Sequence, residues 1–413
     1  MLSVLSLFSG CGGMDIGFEG GFMCMSRSIN TAMHPSWIAE DRGPWAITAS
    51  TGFQTVFAND IRPDAMAAWT AYFSQRHPNA NDIYHLASIV DLVKQVKAGE
   101  GTFPEDVDVV TGGFPCQDYS VSGKRNGFNS LRSHNGGWLE PGEPSVESRG
   151  QLYMWMRDVV TLTRPKLFIA ENVKGLTNLD SVQAVIERDF SNAGGGYIVV
   201  PAKVLHAADY GVPQSRERVI FFGFRRSALN AAALTALTSE AIPTRYDPYP
   251  PRTHAYTQDS PGLCPPVTCK EAFYGLSEPD SASDKAQQHY SKAKYMGRHC
   301  QGQAEVRMDG IAPTIRSEHH GNIEFRRLNR EHDGIITDEL DQGLMERRLS
   351  VRECARIQTF PDDYQFILPK REGYPAVSAS AAYQVIGNAV PCVLAYNIAM
   401  RIKENWELYF SPV

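Results

Sequence analysis

Short, largely apolar runs bounded by glycine, proline or an acid recur through the first half of the chain. Val4–Phe8, Phe53–Asp60, Val107–Val110, Pro165–Glu171 and Tyr197–Leu205 are all of strand length. Runs of that kind predict strands buried on both faces. Between them lie stretches with helical spacing: Met14–Gly20, Asp64–Phe73 opened by Pro63, Ile89–Lys97, Gln151–Leu162 and Asp180–Phe190. Asp82–His85 reads as a further short strand, and Val219–Gly223 as another, entered through Gln214-Ser-Arg-Glu-Arg218. Strands alternating with helices predict an α/β fold: a mixed, mainly parallel sheet with helices on both faces.

The pattern lapses in three places. Residues 24–52 carry Pro, Trp, Ser and His without a clear period and are read as an inserted loop. Gly123–Gly150 is long, polar and glycine-rich, the composition of a loop or lid. After Arg226 the chain turns rich in Pro, Ser, His and Tyr. The periodic signal returns at Leu349–Ile357, and Ala381–Asn405 reads as a return to the first domain through Gly387-Asn388 and a last helix. The reading is therefore a first domain over 1–226, a smaller irregular domain over 227–345, and a return to the first domain over 346–413. No internal repeat is seen.

Composition narrows this only a little. The 413 residues can bury a sizeable core, and 43 % hydrophobic with 21 % charged is ordinary for a globular chain. No run of about 18 apolar residues indicates a membrane span. The start, Met1–Cys11, lacks a basic flank and runs on into a helical pattern, so it is not read as a secretory signal. Eight scattered cysteines without framework spacing point to a reducing, cytoplasmic setting. Cys264 and Cys269 with His289, His299 and Cys300 match no metal-ligand spacing, and no metal is expected. The net charge is −6, yet residues 285–330 hold nine Lys/Arg against four Asp/Glu. A local basic surface matters more for nucleic acid than the total.

Candidate chemistry lies where strands end. Val4–Phe8 runs into Ser9-Gly-Cys-Gly-Gly13 and then a helix, the opening unit of a nucleotide-binding sheet. A tight turn without a ligand would look the same. The Gly-x-Gly-x-x-Gly spacing of dehydrogenases is missing. Asp60 ends the second strand, where such sheets hold ribose hydroxyls. Cys116 follows Gly112-Gly-Phe-Pro115 on a stiff turn past a strand. That places a thiol at the ligand edge as a nucleophile, or else buries it as a structural cysteine. Glu171 ends another strand. Arg216 and Arg218 precede the next, as functional groups or as ion-pair partners.

Taken together, the chain resembles the DNA cytosine-5 methyltransferase family of restriction–modification type. The residues that carry the resemblance are Leu7-Phe-Ser-Gly-Cys-Gly-Gly13, Gly113-Phe-Pro-Cys-Gln117, Arg149-Gly-Gln-Leu152, Glu171-Asn-Val173, Gln214-Ser-Arg-Glu-Arg218, Arg347–Phe360 with Pro361, and Gln384-Val-Ile-Gly-Asn-Ala-Val390. They stand in the family's order, and 227–345 alone lacks such support. The resemblance implies methyl transfer from S-adenosylmethionine to C5 of a flipped-out cytosine in duplex DNA. Cys116 would add to C6, and Glu171 would hold N3 and the exocyclic amine. Arg216 and Arg218 would bind O2 and order Cys116, or hold the target's phosphate. Gln117, Ser122, Lys124 and Arg125 would close over the DNA.

The same resemblance places Phe8, Gly10, Cys11, Gly12 and Gly13 around the methionine end of the cofactor, Asp60 at the ribose and Ile61 on adenine. Pro115, Leu152, Asn388 and Val390 complete that pocket. The family's usual adenine-binding Asp is replaced here by Ser88-Ile89. Residues 227–345 would recognise the target sequence, with Ala312–Asn322 like that region's end in related enzymes. A monomer that acts in the cytoplasm, paired with a cognate restriction endonuclease, is the expected setting, with no membrane partner. Two other readings stay open: the same chemistry on RNA, and a catalytically silent DNA-binding regulator.

Overall fold

The computed structural model describes residues 1–115, 151–178, 180–256, 261–291, 295–297, 303–318 and 324–411. Twelve strands can be traced among them: β1 Leu2–Leu7, β2 Met23–Met25, β3 Ile38–Arg42, β4 Trp45–Thr48, β5 Phe53–Asp60, β6 Tyr84–Leu86, β7 Val109–Gly112, β8 Leu167–Val173, β9 Tyr197–His206, β10 Glu217–Arg225, β11 Phe325–Arg327 and β12 Arg347–Arg348. Seven of them form one sheet in the order β6-β5-β1-β7-β8-β10-β9. The pairs from β6 to β8 are parallel, and β10 is antiparallel to both β8 and β9.

Each central strand is apolar on both sides because each side meets helices. Val4, Val109, Ile169 and Ile220 enter one buried cluster, while Leu5, Val110, Ala170 and Val219 enter the other. That is period-two alternation with no polar face, the signature of a covered sheet. The helices, in chain order, are α1 Gly13–Glu19, α2 Pro63–Phe73, α3 Ala80–Ile83, α4 Ile89–Ala98, α5 Leu152–Thr163, α6 Asp180–Ser191, α7 Ala231–Leu237, α8 Cys269–Ala272, α9 Lys285–Gln288, α10 Thr337–Asp341, α11 Val351–Ile357, α12 Ala379–Asn388, α13 Cys392–Glu404 and α14 Trp406–Phe410. Residues of α1, α2, α12 and α13 fill the first cluster, and those of α4, α5 and α6 the second.

Three expectations change. Residues 24–52 are not a loop. They carry β2, β4 and β3, a separate antiparallel sheet in that order. Strand β3 is mostly exposed, so it left no apolar signature. The segment read as Gly387-Asn388 and a last helix holds two helices, with Gly387 and Asn388 ending the first. Pro391, which cannot donate a backbone hydrogen bond, separates α12 from α13. By length and composition Ala379–Glu404 could cross a membrane, but 83 % of its most apolar window is buried inside the fold.

The chain just after Arg226 also stays on the sheet. The Tyr249 hydroxyl donates to Ile220 O at 2.7 Å, and Arg401 donates to Asp247 O at 2.9 Å. Beyond the short α7, aromatic side chains such as Tyr246 and Tyr249 hold this segment down without helical or strand periodicity, so the pattern alone gave no sign of it.

Candidate active site

In the large sheet the chain passes from β1 to β5 on one side and later to β7 on the other. That reversal opens a crevice at the carboxyl ends of β1 and β7, where ligands bind in open α/β sheets. The sequence-predicted residues gather there. Phe8 and Gly10 follow β1 with positive φ, 53° and 54°. A Cβ on Gly10 would meet no heavy atom within 4 Å, so this turn faces open space. The Asp60 carboxylate, at the end of β5, accepts from Gly10 N and Arg62 N, each at 3.0 Å. Burial raises its pKa against those two donors. Ile61 and Leu86 lie beside it, 43 % and 42 % exposed, with Leu86 in register opposite Asp60. Leu86 was not foreseen, because a three-residue strand carries too little pattern. Asn388 is exposed and Pro115 half-buried at the same site.

Other predicted cofactor residues serve the fold. Gly12 and Gly13 are closed off: a Cβ would lie 2.6 Å from Trp69 Cδ1 and 2.4 Å from Val390 O respectively. The Cys11 side chain turns into the core, its Sγ 3.4 Å from Val385 O, and burial pushes its thiol pKa up. These three can offer a ligand only backbone. Leu152 and Val390 are buried in the two clusters. Ile89 is also a core residue, and Ser88 caps α4, its hydroxyl accepting from Val90 N at 3.3 Å. An Asp at that position would keep a second oxygen for a ligand, which a capping serine does not have.

Asp15 attracted no notice in the sequence, yet it sits fully buried under the glycine turn. Ser6 Oγ donates to it at 2.6 Å and Trp69 Nε1 at 2.7 Å. Burial pushes its pKa up from 3.8 to about 6, with those two hydrogen bonds opposing. The folded state therefore holds a proton that the unfolded chain releases, and the contribution of Asp15 to stability falls as pH rises from about 4 to about 6 and is level above. The full change is on the order of 2–3 kcal/mol. Urea titrations of the wild type and Asp15→Asn across this range check it. Asp15→Asn should lack the downward slope.

The catalytic candidates converge on the next strands. Glu171 lies near the end of β8 and Arg218 at the start of β10, which runs antiparallel beside it. Arg218 Nε is 2.7 Å from Glu171 Oε1, and the two side chains are 11 % and 10 % exposed. A pair so little exposed is weakly screened and holds its geometry. Asn172 Nδ2 donates to Phe114 O at 3.1 Å and so ties β8 to the turn that leads to Cys116. A Cβ on Gly113 would stand 2.8 Å from Glu171 Oε2, so glycine is what lets this carboxylate lie against the turn. Gly113→Ala should push Glu171 aside. Turnover is expected to fall about 10- to 100-fold, the equivalent of the 1–3 kcal/mol that inserted volume costs. Steady-state kinetics with a melting curve would check that the loss is local.

Arg216 does not join this pair. Its side chain is fully buried. It donates to Ile315 O at 2.9 Å, Gly387 O at 3.0 Å and Ala389 O at 2.8 Å. Three carbonyls aim its guanidinium into the fold, so the expected contact with the base or its phosphate is corrected to a structural tie. The basic excess of 285–330 is likewise partly neutralised. Arg326 and Arg327 pair with Glu339, and Arg330 with Asp341. Cys116, Gln117, Ser122, Lys124 and Arg125 lie outside the described residues.

A parallel sheet with one antiparallel strand, a glycine turn after β1 and an acid ending β5 defines an α/β fold of the methyltransferase class. Two solved structures share it across 98 % of this chain and 99 % of their own. One is the S. pombe Dnmt2 methyltransferase, 17 % identical with a TM-score of 0.54. The other is the Entamoeba histolytica methyltransferase EhMeth, 14 % identical with the same score. Residues 2–404 match the profile of the C-5 cytosine-specific DNA methylases. The type II methyltransferase M.BspRI of Lysinibacillus sphaericus is 32 % identical over 97 % of this chain and 81 % of its own length. M.BsuRI of Bacillus subtilis is 29 % identical over 99 % and 80 %.

The chain belongs to the C-5 cytosine-specific DNA methylase family. It is a DNA cytosine-5 methyltransferase, and its methyl donor is S-adenosylmethionine. The crevice fits that donor: open space at Gly10, the Asp60 carboxylate as acceptor for ribose hydroxyls, and exposed Ile61 and Leu86 as apolar surface for a purine.

Proposed function

We propose that this enzyme methylates one cytosine within a specific short duplex sequence, through a covalent bond between Cys116 and C6 of a base flipped out of the helix. The observation that carries this reading is the 2.7 Å Arg218–Glu171 pair held against the turn that runs into Cys116. C5 of cytosine is a weak nucleophile. Addition of the Cys116 thiolate to C6 moves the ring electrons so that C5 becomes enamine-like. One Glu171 oxygen accepts from the exocyclic amine while the other shares a proton with N3, a bond that strengthens as charge reaches the ring. Arg218 fixes that carboxylate through Nε, donates from Nη1 to Glu217 O, and would turn an Nη2 N–H toward O2. Bound S-adenosylmethionine would supply an electrophilic methyl group to C5, its S–CH3 bond breaking to leave the neutral thioether S-adenosylhomocysteine. A base, taken as water, then removes the C5 proton, and the C6–S bond breaks to regenerate Cys116.

A cytosine inside a duplex cannot reach such a crevice, which is why flipping is part of the proposal. Ser122, Lys124 and Arg125, with Gln117, close over the flipped base. Gly10, Asp60, Ile61, Leu86, Pro115 and Asn388 line the cofactor site, with Ser88 near the adenine. Sequence recognition falls to the irregular region between about 255 and 345, since Tyr249 is tied to β10 and Asp247 to α13. The setting is a type II restriction–modification system in the bacterial cytoplasm, with the enzyme as a monomer and a partner endonuclease reading the same sequence. Methyl transfer from labelled S-adenosylmethionine to duplex DNA and to transfer RNA, followed by bisulfite sequencing of the DNA, tests it. Label in DNA at one sequence context supports the reading, and label in RNA alone refutes it.

A further inference from the structure

Gln358 follows the last turn of α11, 140 residues or more from the strand residues discussed above, and no role has been given to it. Its side chain is fully buried where three parts of the site meet. Its Nε2 donates to Ile386 O at 2.7 Å and to Ala389 O at 3.2 Å. Its Oε1 accepts from Gln214 Nε2 at 2.8 Å. Gln214 is equally buried, and its Oε1 accepts from Ile315 N at 2.8 Å. Arg216 runs alongside, joining Ile315 O to Gly387 O and Ala389 O. A Cβ on Gly387 would lie 2.3 Å from the Arg316 carbonyl, so α12 touches the 315–317 backbone directly.

Each strand of this knot leads somewhere different. Gln214 begins the segment that delivers Arg218 to Glu171. Ile315 and Arg316 lie inside the region assigned to DNA recognition, in its Ala312–Asn322 stretch. Ile386–Ala389 are the last turn and C-cap of α12, leading into the break before α13, and include Asn388 at the cofactor crevice. Two buried amides are a demanding way to fill space, because every donor and acceptor must be matched. A methionine pair would fill a similar volume without that demand. What the amides add is a fixed separation between three backbones.

We propose that Gln358, acting with Gln214, is a positioning residue that holds the DNA-recognition region and the cofactor wall in register with the Arg218–Glu171 pair. The claim rests on the site assignment made above. Neither amide reaches DNA or cofactor, so their loss should weaken binding of both substrates at once while leaving the chemical step intact.

The test is steady-state methyl transfer by the full-length protein, with S-adenosylmethionine and duplex DNA varied in turn, alongside a melting curve. Gln358→Met should raise both KM values together, roughly five- to tenfold, with kcat within about threefold of wild type. Gln214→Met should give the same split, which keeps the test alive if the first variant folds poorly. The double variant should be no worse than the poorer single, since the two act as one unit. A lower melting temperature with both KM values unchanged overturns the proposal, as does a rise in one KM alone or simple addition of the two effects. Wild type run in parallel separates the claims. If it transfers no methyl to duplex DNA, the functional reading fails; if it does and the KM values of the variants hold, only the positioning claim fails.

Discussion

Cys116→Ala is expected to abolish methyl transfer to duplex DNA, with kcat falling by at least about 10⁴-fold, the scale on which a covalent nucleophile is lost. Binding of S-adenosylmethionine and of DNA is expected to stay within a few-fold of wild type, because alanine removes only the sulfur. The other cysteines sharpen this expectation. Cys11, Cys24, Cys354 and Cys392 are buried, and desolvation raises every one of their thiol pKa values, that of Cys24 to about 12. A thiol kept protonated is neither nucleophile nor metal ligand. Cys269 is pushed up to about 12 in the same way. Cys116 instead follows in sequence the Gly112–Pro115 turn, against which the Arg218–Glu171 pair is held. Single-turnover assays of Cys116→Ala, with Cys11→Ala as a control, separate the roles, and Cys11→Ala should retain transfer.

Glu171→Gln keeps the shape of the side chain and removes its charge. Glutamine can still accept from Arg218 Nε, so the fold and the position of β10 should survive. What it cannot do is share a proton with N3 while accepting from the exocyclic amine. Loss of one such stabilising contact costs about 10²- to 10³-fold in kcat. The fall should appear in kcat and kcat/KM together, the sign of a contact made in the transition state. Arg218→Ala should cost as much or more, since it leaves Glu171 buried without its counter-charge. Rapid-quench measurement of the methyl-transfer step checks both.

Much of this architecture was legible in the sequence because the strands are buried on both faces. Continuous apolar runs such as Leu167–Ala170 stand out without help from context. Residues whose chemistry depends on a strand end were found for the same reason: Asp60 and Glu171 each follow such a run. The errors share a different cause. Arg216 and Arg218 look alike in Gln214-Ser-Arg-Glu-Arg218, and only the fold reveals that one meets three carbonyls while the other meets Glu171. Gly12 and Gly13 look like ligand-binding glycines, yet Trp69 and Val390, far along the chain, are what require them. Strands β2 to β4 were missed because they are short and β3 is exposed. Asp15, Leu86 and Gln358 gave no local signal, since Trp69, Asp60 and Gln214, which they meet in the fold, are each more than twenty residues away.

The most direct test of the central claim uses a duplex in which the target cytosine carries fluorine at C5. After Cys116 adds to C6 and the methyl group arrives, no proton remains at C5 for a base to remove, so the C6–S bond cannot break. Wild type with S-adenosylmethionine should accumulate a denaturation-resistant protein–DNA adduct, and peptide mass spectrometry should place the DNA on Cys116. Absence of an adduct on a duplex that the enzyme otherwise methylates, or equal trapping by Cys116→Ala, would contradict the account.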